Sequence, residues 1–129
     1  MSHETMKWTI LLVIAALLVV VFLMKKTGDL SSEDASEYLK EGAVVIDVRS
    51  PGEYNAEHLR GTLNIPLDVV ESAVPQRLGD KDQVLLLHCQ SGVRSGMAVR
   101  KLKALGYTKV FNLGSFNRAK EIVAKAGNP

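Results

Sequence analysis

The sequence has few of the residues that form disulfides or bind metals. It holds one cysteine, Cys89, and three histidines among 129 residues. A single cysteine excludes a disulfide within the chain, and three scattered histidines argue against a dedicated zinc site. No metal or other cofactor is therefore expected, and Cys89 has no thiol partner in its own chain. The length allows one globular domain beside a hydrophobic N-terminal segment.

Acidic residues are almost absent from the last third of the chain. Residues 89–129 carry eight Lys or Arg and one acid, Glu121, whereas residues 27–88 carry five basic and twelve acidic residues. The formal net charge of +2 hides this segregation. A basic segment suits a small anionic ligand or an anionic surface. Alternatively, its lysines are solvated helix faces: Lys101, Lys103, Lys109, Lys120 and Lys125.

Charge is also absent from an apolar run near the N-terminus. Residues 8–24, WTILLVIAALLVVVFLM, lie between Lys7 and the pair Lys25 and Lys26. A helix of this length spans roughly 26 Å, slightly under a hydrocarbon core of about 30 Å, and lysines at both ends can reach the interfaces. We interpret the run as one uncleaved transmembrane helix, with a tail at 1–7 and a linker at 25–30.

A cleaved secretory signal is the alternative interpretation of this run. Such a signal has an apolar region of about 7–15 residues and a small-x-small cleavage pattern, whereas this run is longer and leads directly into KKTGDLSS. Lys25, Lys26 and Lys40 outnumber Lys7, which favours a cytoplasmic domain; the alternative is a periplasmic or other extracytoplasmic one. We therefore expect a single-pass protein of the cell membrane, with the lipid bilayer as a partner.

The remainder, residues 31–129, is predicted to be one α/β domain. Three continuous apolar runs predict strands buried on both faces of a sheet: AVVIDV (43–48), VLLLH (84–88) and KVFNL (109–113). Helical patterns lie between and around them, at 32–41, 51–58, 67–78 with an interruption at Pro75, 95–105 and 115–126. Strands that alternate with helices indicate a mainly parallel sheet with right-handed crossovers.

Cys89 follows the second predicted strand, at the sheet edge where open α/β folds place ligands. The residues after it, QSGVRS, lead into a helix, so backbone N–H groups and the helix dipole can converge on the sulfur. Together with the guanidinium of Arg94, they should lower the pKa of Cys89 below the roughly 8.5 of a free cysteine. Cys89 is thus a candidate nucleophile, although a lone cysteine after a strand can also be a small buried hydrophobe.

Two separated motifs extend this interpretation. They are IDVRSPGEYNAEHLRGTLNIPL (46–67) and HCQSGVRS (88–95), and with GYTKVFNLGS (106–115) they span most of the chain after the apolar run. They resemble the single-domain rhodanese (thiosulfate sulfurtransferase) family. The resemblance implies a five-stranded, mainly parallel sheet flanked by helices. It also implies that Cys89 attacks the outer sulfur of thiosulfate and becomes a persulfide, in a reaction of two half-steps.

Carried over by position, the resemblance implies which residues form the active site. The active-site loop follows Cys89 and consists of Gln90, Ser91, Gly92, Val93, Arg94 and Ser95. Its amides would hold the persulfide, and Arg94 would bind the sulfonate of thiosulfate. Related cysteine phosphatases have the arginine six positions after the cysteine, whereas Arg94 is at the fifth, so the loop length favours a sulfurtransferase.

Other polar residues of these motifs have expected structural roles. Asp47 and Arg49 are expected to form a buried ion pair or to orient the active-site loop. His58 and Asn64 match positions that are structural in the family. Side chains alternate between the faces of a strand, so His88 should point away from Cys89 and be a poor base for it.

The sequence therefore predicts a membrane-anchored sulfurtransferase. It would move sulfane sulfur from thiosulfate or a similar anionic donor to cyanide or a thiol, which a protein could carry. Because Cys89 is the only thiol, its persulfide must pass to another molecule. The alternative is a membrane-tethered module that keeps the fold but acts through a protein partner. Nucleic acid is not expected among the partners.

Overall fold

The uncharged N-terminal run lies within one long helix. In the computed structural model, which describes residues 2–28 and 30–127, this helix, α1, extends over His3–Gly28. Its segment His3–Leu23 is long and apolar enough to cross a membrane, and the side chains of its most apolar window are not buried. The helix takes in most of the predicted tail and linker, because no proline or glycine precedes Gly28.

The division into tail, span, linker and domain stays a prediction. The side chains of Lys25 and Lys26, which were expected to reach the membrane interface, lie outside the described part of the chain. The same holds for residues 1, 29, 128 and 129, and so for the ends of the predicted segments at 1 and 129.

After α1, strands and helices alternate as predicted. The strands are β1 (Val44–Asp47), β2 (Leu63–Asn64), β3 (Leu85–His88) and β4 (Val110–Gly114). The helices are α2 (Ser32–Lys40), α3 (Pro51–Ala56), α4 (Val70–Arg77), α5 (Val93–Ala104) and α6 (Phe116–Lys125), and a 3-10 turn at Leu67–Val69 precedes α4. Pro75 lies inside α4 instead of interrupting it, because buried Val70 and Val74 hold the helix against the core.

The strands form one parallel sheet in the order β2-β1-β3-β4. The α/β class is confirmed, but the sheet has four strands in the described residues where the family resemblance implied five. Only Leu30 and Ser31 are described between α1 and α2, too few for a strand. The carbonyl oxygen of Leu30 accepts a hydrogen bond from the Arg118 side chain instead of from a neighbouring strand. The two-residue β2 was not predicted, because so short a strand has no sequence periodicity.

The sheet has a hydrophobic layer on each face. Alternate residues of β3 point to opposite layers: Leu85 and Leu87 pack with α4 and α5, and Leu86 packs with α2 and α6. Each fully buried leucine contributes about 1.5–3 kcal/mol through removal of apolar surface from water. Because β3 is buried over its whole length, the residue that follows it occupies a position fixed by the core.

Candidate active site

Cys89 comes directly after β3, and backbone hydrogen bonds tie it to the end of β4. The N–H of Cys89 donates to the carbonyl oxygen of Gly114 at 3.2 Å. One residue later, the carbonyl oxygen of Gln90 accepts from the N–H of Phe116, also at 3.2 Å. Cys89 has no exposed surface and belongs to the core cluster on the α4 and α5 face. The sulfur therefore sits at the base of the loop.

The Cys89 sulfur receives hydrogen bonds from the start of α5. The N–H of Gly92 lies 3.0 Å from Sγ, and the hydroxyl of Ser95 lies 3.4 Å from it. Burial by itself would raise the pKa of Cys89, but the Ser95 hydroxyl and backbone N–H groups of the loop outweigh it and leave the pKa below that of a free thiol. The N-terminal end of the α5 dipole favours negative charge at the same place. The surroundings thus stabilise a thiolate.

The hydroxyl of Ser95 lies within hydrogen-bond distance of three acceptors. It lies 2.7 Å from Oδ1 of Asn112, 3.2 Å from the carbonyl oxygen of Gly92 and 3.4 Å from Sγ. A hydroxyl has one hydrogen, so it donates to one of these at a time. Asn112 is held by the N–H of Gly114, which donates to Oδ1, and by its own Nδ2, which donates to Gly92. Asn112 therefore fixes the position of Ser95.

Gly92 lets the chain turn from the loop into α5. Its φ of 98° lies in the left-handed region, which residues other than glycine rarely adopt. A Cβ atom at this position would come within 3.3 Å of the backbone of Gly114. The glycine thus permits both the turn that aims its N–H at Sγ and the close approach of the loop to β4.

The guanidinium of Arg94 forms a bidentate ion pair with the carboxylate of Glu53. Nη1 lies 2.7 Å from Oε1 and Nη2 lies 2.9 Å from Oε2. The hydrogen bond from Arg94 is the main cause that lowers the pKa of Glu53 to about 2, and the same bond raises the pKa of Arg94. Arg94 was expected to bind the sulfonate of a donor. In the structure its guanidinium is already paired with a carboxylate.

Asp47 and Arg49 form an ion pair beneath the loop. The two side chains are 0% and 5% exposed, and Nη2 lies 2.8 Å from Oδ2. Arg49 also lies over the ring of Phe116 at 4.8 Å, and it donates to Oε1 of Gln90 at 3.4 Å. The buried pair that the sequence indicated is therefore present, and it also contacts a residue of the loop.

The other residues that the sequence singled out have structural contacts. Asn64 donates to the carbonyl oxygens of Asp47 and Arg49, and Nδ1 of His58 contacts the carbonyl oxygen of Tyr54. His88 is fully buried, and its ring packs edge-on against Phe116 on the opposite face of the sheet from Cys89, as expected. Ser91 and Val93 are exposed.

Two pockets border the loop. The larger, of about 400 Å³, is lined by Ser91, Gly92, Asn112, Gly114, Ser115 and Arg118. The smaller, of about 220 Å³, is lined by Val48, Ser50, Pro66, Leu67, Asp68 and Arg94. Each pocket thus contains at least one loop residue and residues from the ends of neighbouring strands.

Sequence reasoning missed Glu53 and Asn112. Glu53 has a local signal, because Ser50 and Glu53 have the spacing of a capping box and Pro51 stands at the first helical position. Asn112 has no such signal. It lies in the middle of β4, and only the pairing of β3 with β4 brings it to Ser95.

Three comparisons place the chain among known proteins. Residues 31–121 match the family of the rhodanese-like domain. The chain is 41% identical over 69 residues to the thiosulfate sulfurtransferase PspE of Escherichia coli, a match that covers 54% of this chain and 66% of PspE. The human single-domain sulfurtransferase TSTD1 has a solved structure that superposes with a TM-score of 0.63 at 30% identity, over 72% of this chain and 95% of that one.

A solved rhodanese with anions from E. coli gives a TM-score of 0.58 at 36% identity, over 60% of this chain and 91% of that one. Curated relatives are longer than the segment they share with this chain. The chain spans 66% of PspE, and 60% and 55% of the next two curated proteins that it matches.

Proposed function

The chain belongs to the family of rhodanese-like domains, and on this premise we propose that it is a sulfurtransferase that carries sulfane sulfur on Cys89. One observation carries the proposal most directly. Sγ of Cys89 lies within hydrogen-bond distance of the Gly92 N–H and the Ser95 hydroxyl at the start of α5. Such donors stabilise a thiolate.

The reaction would proceed in two half-steps. In the first, the Cys89 thiolate attacks the sulfane sulfur of a donor such as thiosulfate, the S–S bond of the donor breaks, and sulfite leaves. In the second, cyanide or a thiolate attacks the outer sulfur of the Cys89 persulfide, and the Cys89 thiolate is the leaving group. Each half-step breaks one bond to the transferred sulfur and forms another, so no external oxidant is needed. Ping-pong kinetics would follow.

The roles of the other site residues follow from their contacts. Gly92 and Ser95 would stabilise the charge on sulfur, and Asn112 would orient Ser95. Asp47 and Arg49 would support the loop through the contact of Arg49 with Gln90. The Ser95 hydroxyl and the loop N–H groups lower the pKa of Cys89, which increases the fraction of thiolate available for attack.

Mass spectrometry of the full-length protein tests the proposal. After incubation of the detergent-solubilised protein with a sulfane-sulfur donor, we expect a gain of one sulfur atom on the peptide that contains Cys89. Addition of cyanide should remove this sulfur and release thiocyanate, whereas Cys89→Ser should gain none. A folded wild-type protein that no donor loads would contradict the proposal and favour a module that acts through a protein partner.

We also propose that α1 anchors the protein in a membrane. The support is its length, its apolar segment His3–Leu23 and the exposure of that segment's side chains. The protein should fractionate with membranes and resist extraction by carbonate, and its intact mass should include residues 1–28. A mature protein that begins after α1 would instead identify the segment as a cleaved signal.

The side of the membrane needs a separate experiment. Cys89 is fully buried, so a thiol reagent could fail to label it on either side of the membrane. Labelling of Cys89 would therefore not identify the compartment by itself. Lys120 is exposed on α6, and Lys120→Cys in a Cys89→Ala background supplies a single accessible thiol. For a cytoplasmic domain, an impermeant maleimide should label this thiol only after the cells are lysed. Labelling in cells with an intact inner membrane would place the domain outside the cytoplasm.

A further inference from the structure

The cation expected to bind an anionic donor is already neutralised. Both terminal nitrogens of Arg94 bond to the carboxylate of Glu53, at 2.7 and 2.9 Å. Glu53 is itself held in place, because Oε1 accepts from the N–H of Ser50 at 3.2 Å and from its hydroxyl at 3.1 Å. The contacts with Ser50 fix the position of the Glu53 carboxylate independently of Arg94. The ion pair with Arg94 is therefore already formed in the protein without a bound donor.

The pocket beside Arg94 carries a second carboxylate. Asp68 lines the same cavity of about 220 Å³, together with Ser50 and the apolar side chains of Val48, Pro66 and Leu67. With Glu53 on Arg94, the charged groups around this pocket sum to one negative charge. Such a pocket offers apolar contact and no unpaired cation among its described lining residues.

Exposed apolar side chains lie close in sequence to two residues that line the pocket, Asp68 and Arg94. Outside α1, the large hydrophobic side chains exposed in the described residues are Val69, Val93 and Met97, at 41%, 67% and 40%. Val93 and Met97 are four residues apart, so they lie on the same face of α5. Val69 belongs to the 3-10 turn that packs against α5. This apolar surface would favour a donor with an uncharged organic body.

We infer, on the basis of the proposed sulfurtransferase function, that Glu53 determines donor specificity: by neutralising Arg94 it disfavours dianionic thiosulfate and favours an alkyl persulfide, which carries at most one negative charge. The transfer is balanced for this donor. The Cys89 thiolate attacks the terminal sulfur of R–S–SH, the S–S bond of the donor breaks, and RS⁻ leaves. The transferred sulfur keeps its proton, and Cys89 becomes Cys–S–SH.

The test compares two donors on matched variants of the full-length protein. The donors are thiosulfate and the persulfide of N-acetylcysteine methyl ester, and the readout is the rate at which Cys89 gains sulfur, by quenched-flow mass spectrometry. Glu53→Gln should raise kcat/KM for thiosulfate about three- to tenfold, mainly through KM, as expected when one ion pair is removed from the path of an anion. The rate with the persulfide, which carries at most one negative charge and can react as protonated R–S–SH, should change less than twofold.

The matched control is Glu71→Gln. Glu71 also pairs with a basic residue of α5, Lys101, at 3.1 Å, but it does not line the pocket. This variant makes the same change of charge and should alter neither rate. Asp68→Asn removes the second carboxylate of the pocket and leaves the ion pair of Glu53 with Arg94 intact. Like Glu53→Gln, it should raise the rate with thiosulfate relative to the rate with the persulfide.

The outcomes separate this inference from the proposed function. If neither donor loads the wild-type protein, the proposed function fails. If both donors load it but Glu53→Gln leaves their ratio unchanged, or slows both equally, Glu53 merely positions Arg94 and the inference is wrong. If Glu53→Gln does not fold, Asp68→Asn decides, and an unchanged donor ratio in that variant overturns the inference.

Discussion

At the scale of single residues, the state of the sulfur depends most directly on Ser95. The hydroxyl can donate to Asn112 at 2.7 Å or to Sγ at 3.4 Å, but not to both at once. When Cys89 is a thiol, the shorter bond to Asn112 is the better one. When Cys89 is a thiolate, its charged sulfur competes with the neutral Oδ1 of Asn112 for the Ser95 hydrogen, because hydrogen bonds to charged acceptors are stronger. Ser95 can therefore adjust to the charge on the sulfur by a rotation of its hydroxyl alone.

Replacement of Ser95 tests this role. Ser95→Ala removes a donor that lowers the pKa of Cys89, so the pKa should rise and the rate of sulfur loading at neutral pH should fall several-fold. The ultraviolet absorbance of the thiolate, followed against pH, measures the shift. Ser91→Ala is the control, because this exposed hydroxyl does not donate to Sγ. An unchanged titration curve for Ser95→Ala would contradict the assignment.

His88 is a second residue with a pH-dependent consequence. Burial lowers the pKa of His88 from 6.5, while Asp47 at 3.8 Å raises it and Arg49 lowers it. Its Nε2 has no hydrogen-bond partner among the described residues. The unfolded chain therefore binds a proton more readily than the folded one, so stability is lost as the pH falls below about 6.5.

Urea unfolding between pH 7 and pH 5 measures this effect. The free energy of unfolding of the wild type should fall over this range, and His88→Leu should show a shallower fall because it has no imidazole to protonate. The acidic residues titrate in both proteins, so the difference between the two curves isolates His88. Parallel curves would show that the buried imidazole does not contribute.

At the scale of elements, the site depends on two short connections. The loop after β3 aims N–H groups at the sulfur, and α3 brings Glu53 to Arg94. α3 has six residues, too few to be stable alone. The Ser50 hydroxyl accepts the N–H of Glu53, the Glu53 carboxylate accepts the N–H of Ser50, and Pro51 presets the first turn. The helix cap and the ion pair of the site thus share one carboxylate.

The β3–α5 connection gives a prediction about glycine. Gly92→Ala should destabilise the domain by roughly 1–2 kcal/mol or more, because alanine must adopt a left-handed conformation and its Cβ meets the backbone of Gly114 at 3.3 Å. Gly52→Ala is the matched control. A Cβ there meets nothing within 4 Å and lies in α3, so stability should be unchanged or rise by up to about 1 kcal/mol. Equal effects of the two changes, measured by urea unfolding, would contradict the prediction.

At the scale of the whole molecule, basic residues of the last third of the chain form ion pairs with acidic residues that precede it in the sequence. Among the described residues, three ion pairs join the basic last third to the acidic part before it: Arg94–Glu53, Lys101–Glu71 and Lys125–Glu33. The two lysine pairs are largely exposed, and each such pair contributes at most about 1 kcal/mol. Some of the cations that suggested an anionic ligand are therefore partnered within the fold.

The position of α1 gives a prediction for the whole chain. Deletion of residues 2–28 should leave a domain with the same thermal stability and loading rate, because the apolar window of α1 has no buried side chain. Deletion through Ser31 is the control. It removes Leu30, whose carbonyl oxygen accepts from Arg118, and the N-cap of α2, which is worth about 0.5–2 kcal/mol. Thermal unfolding should separate the two, and equal stability of both would contradict the prediction.

Much of the architecture could be predicted from the sequence. Buried parallel strands appear as continuous apolar runs, so β1, β3 and β4 were predicted to within two residues at each end. The elements that were missed or misjudged are those with weak local signals. β2 is two residues long, and α4 continues through Pro75 because tertiary packing outweighs the local cost of the proline.

The sequence by itself determined the order of strands and helices, the place of Cys89 after a buried strand and the motifs of its family, since these depend on local propensity and spacing. Only the tertiary structure decided which groups meet. Glu53 and Arg94 are 41 residues apart and meet between α3 and α5, and Ser95 and Asn112 are 17 apart and meet between α5 and β4. Strand order sets such contacts, and strand order depends on the energy of the whole core rather than on any local segment.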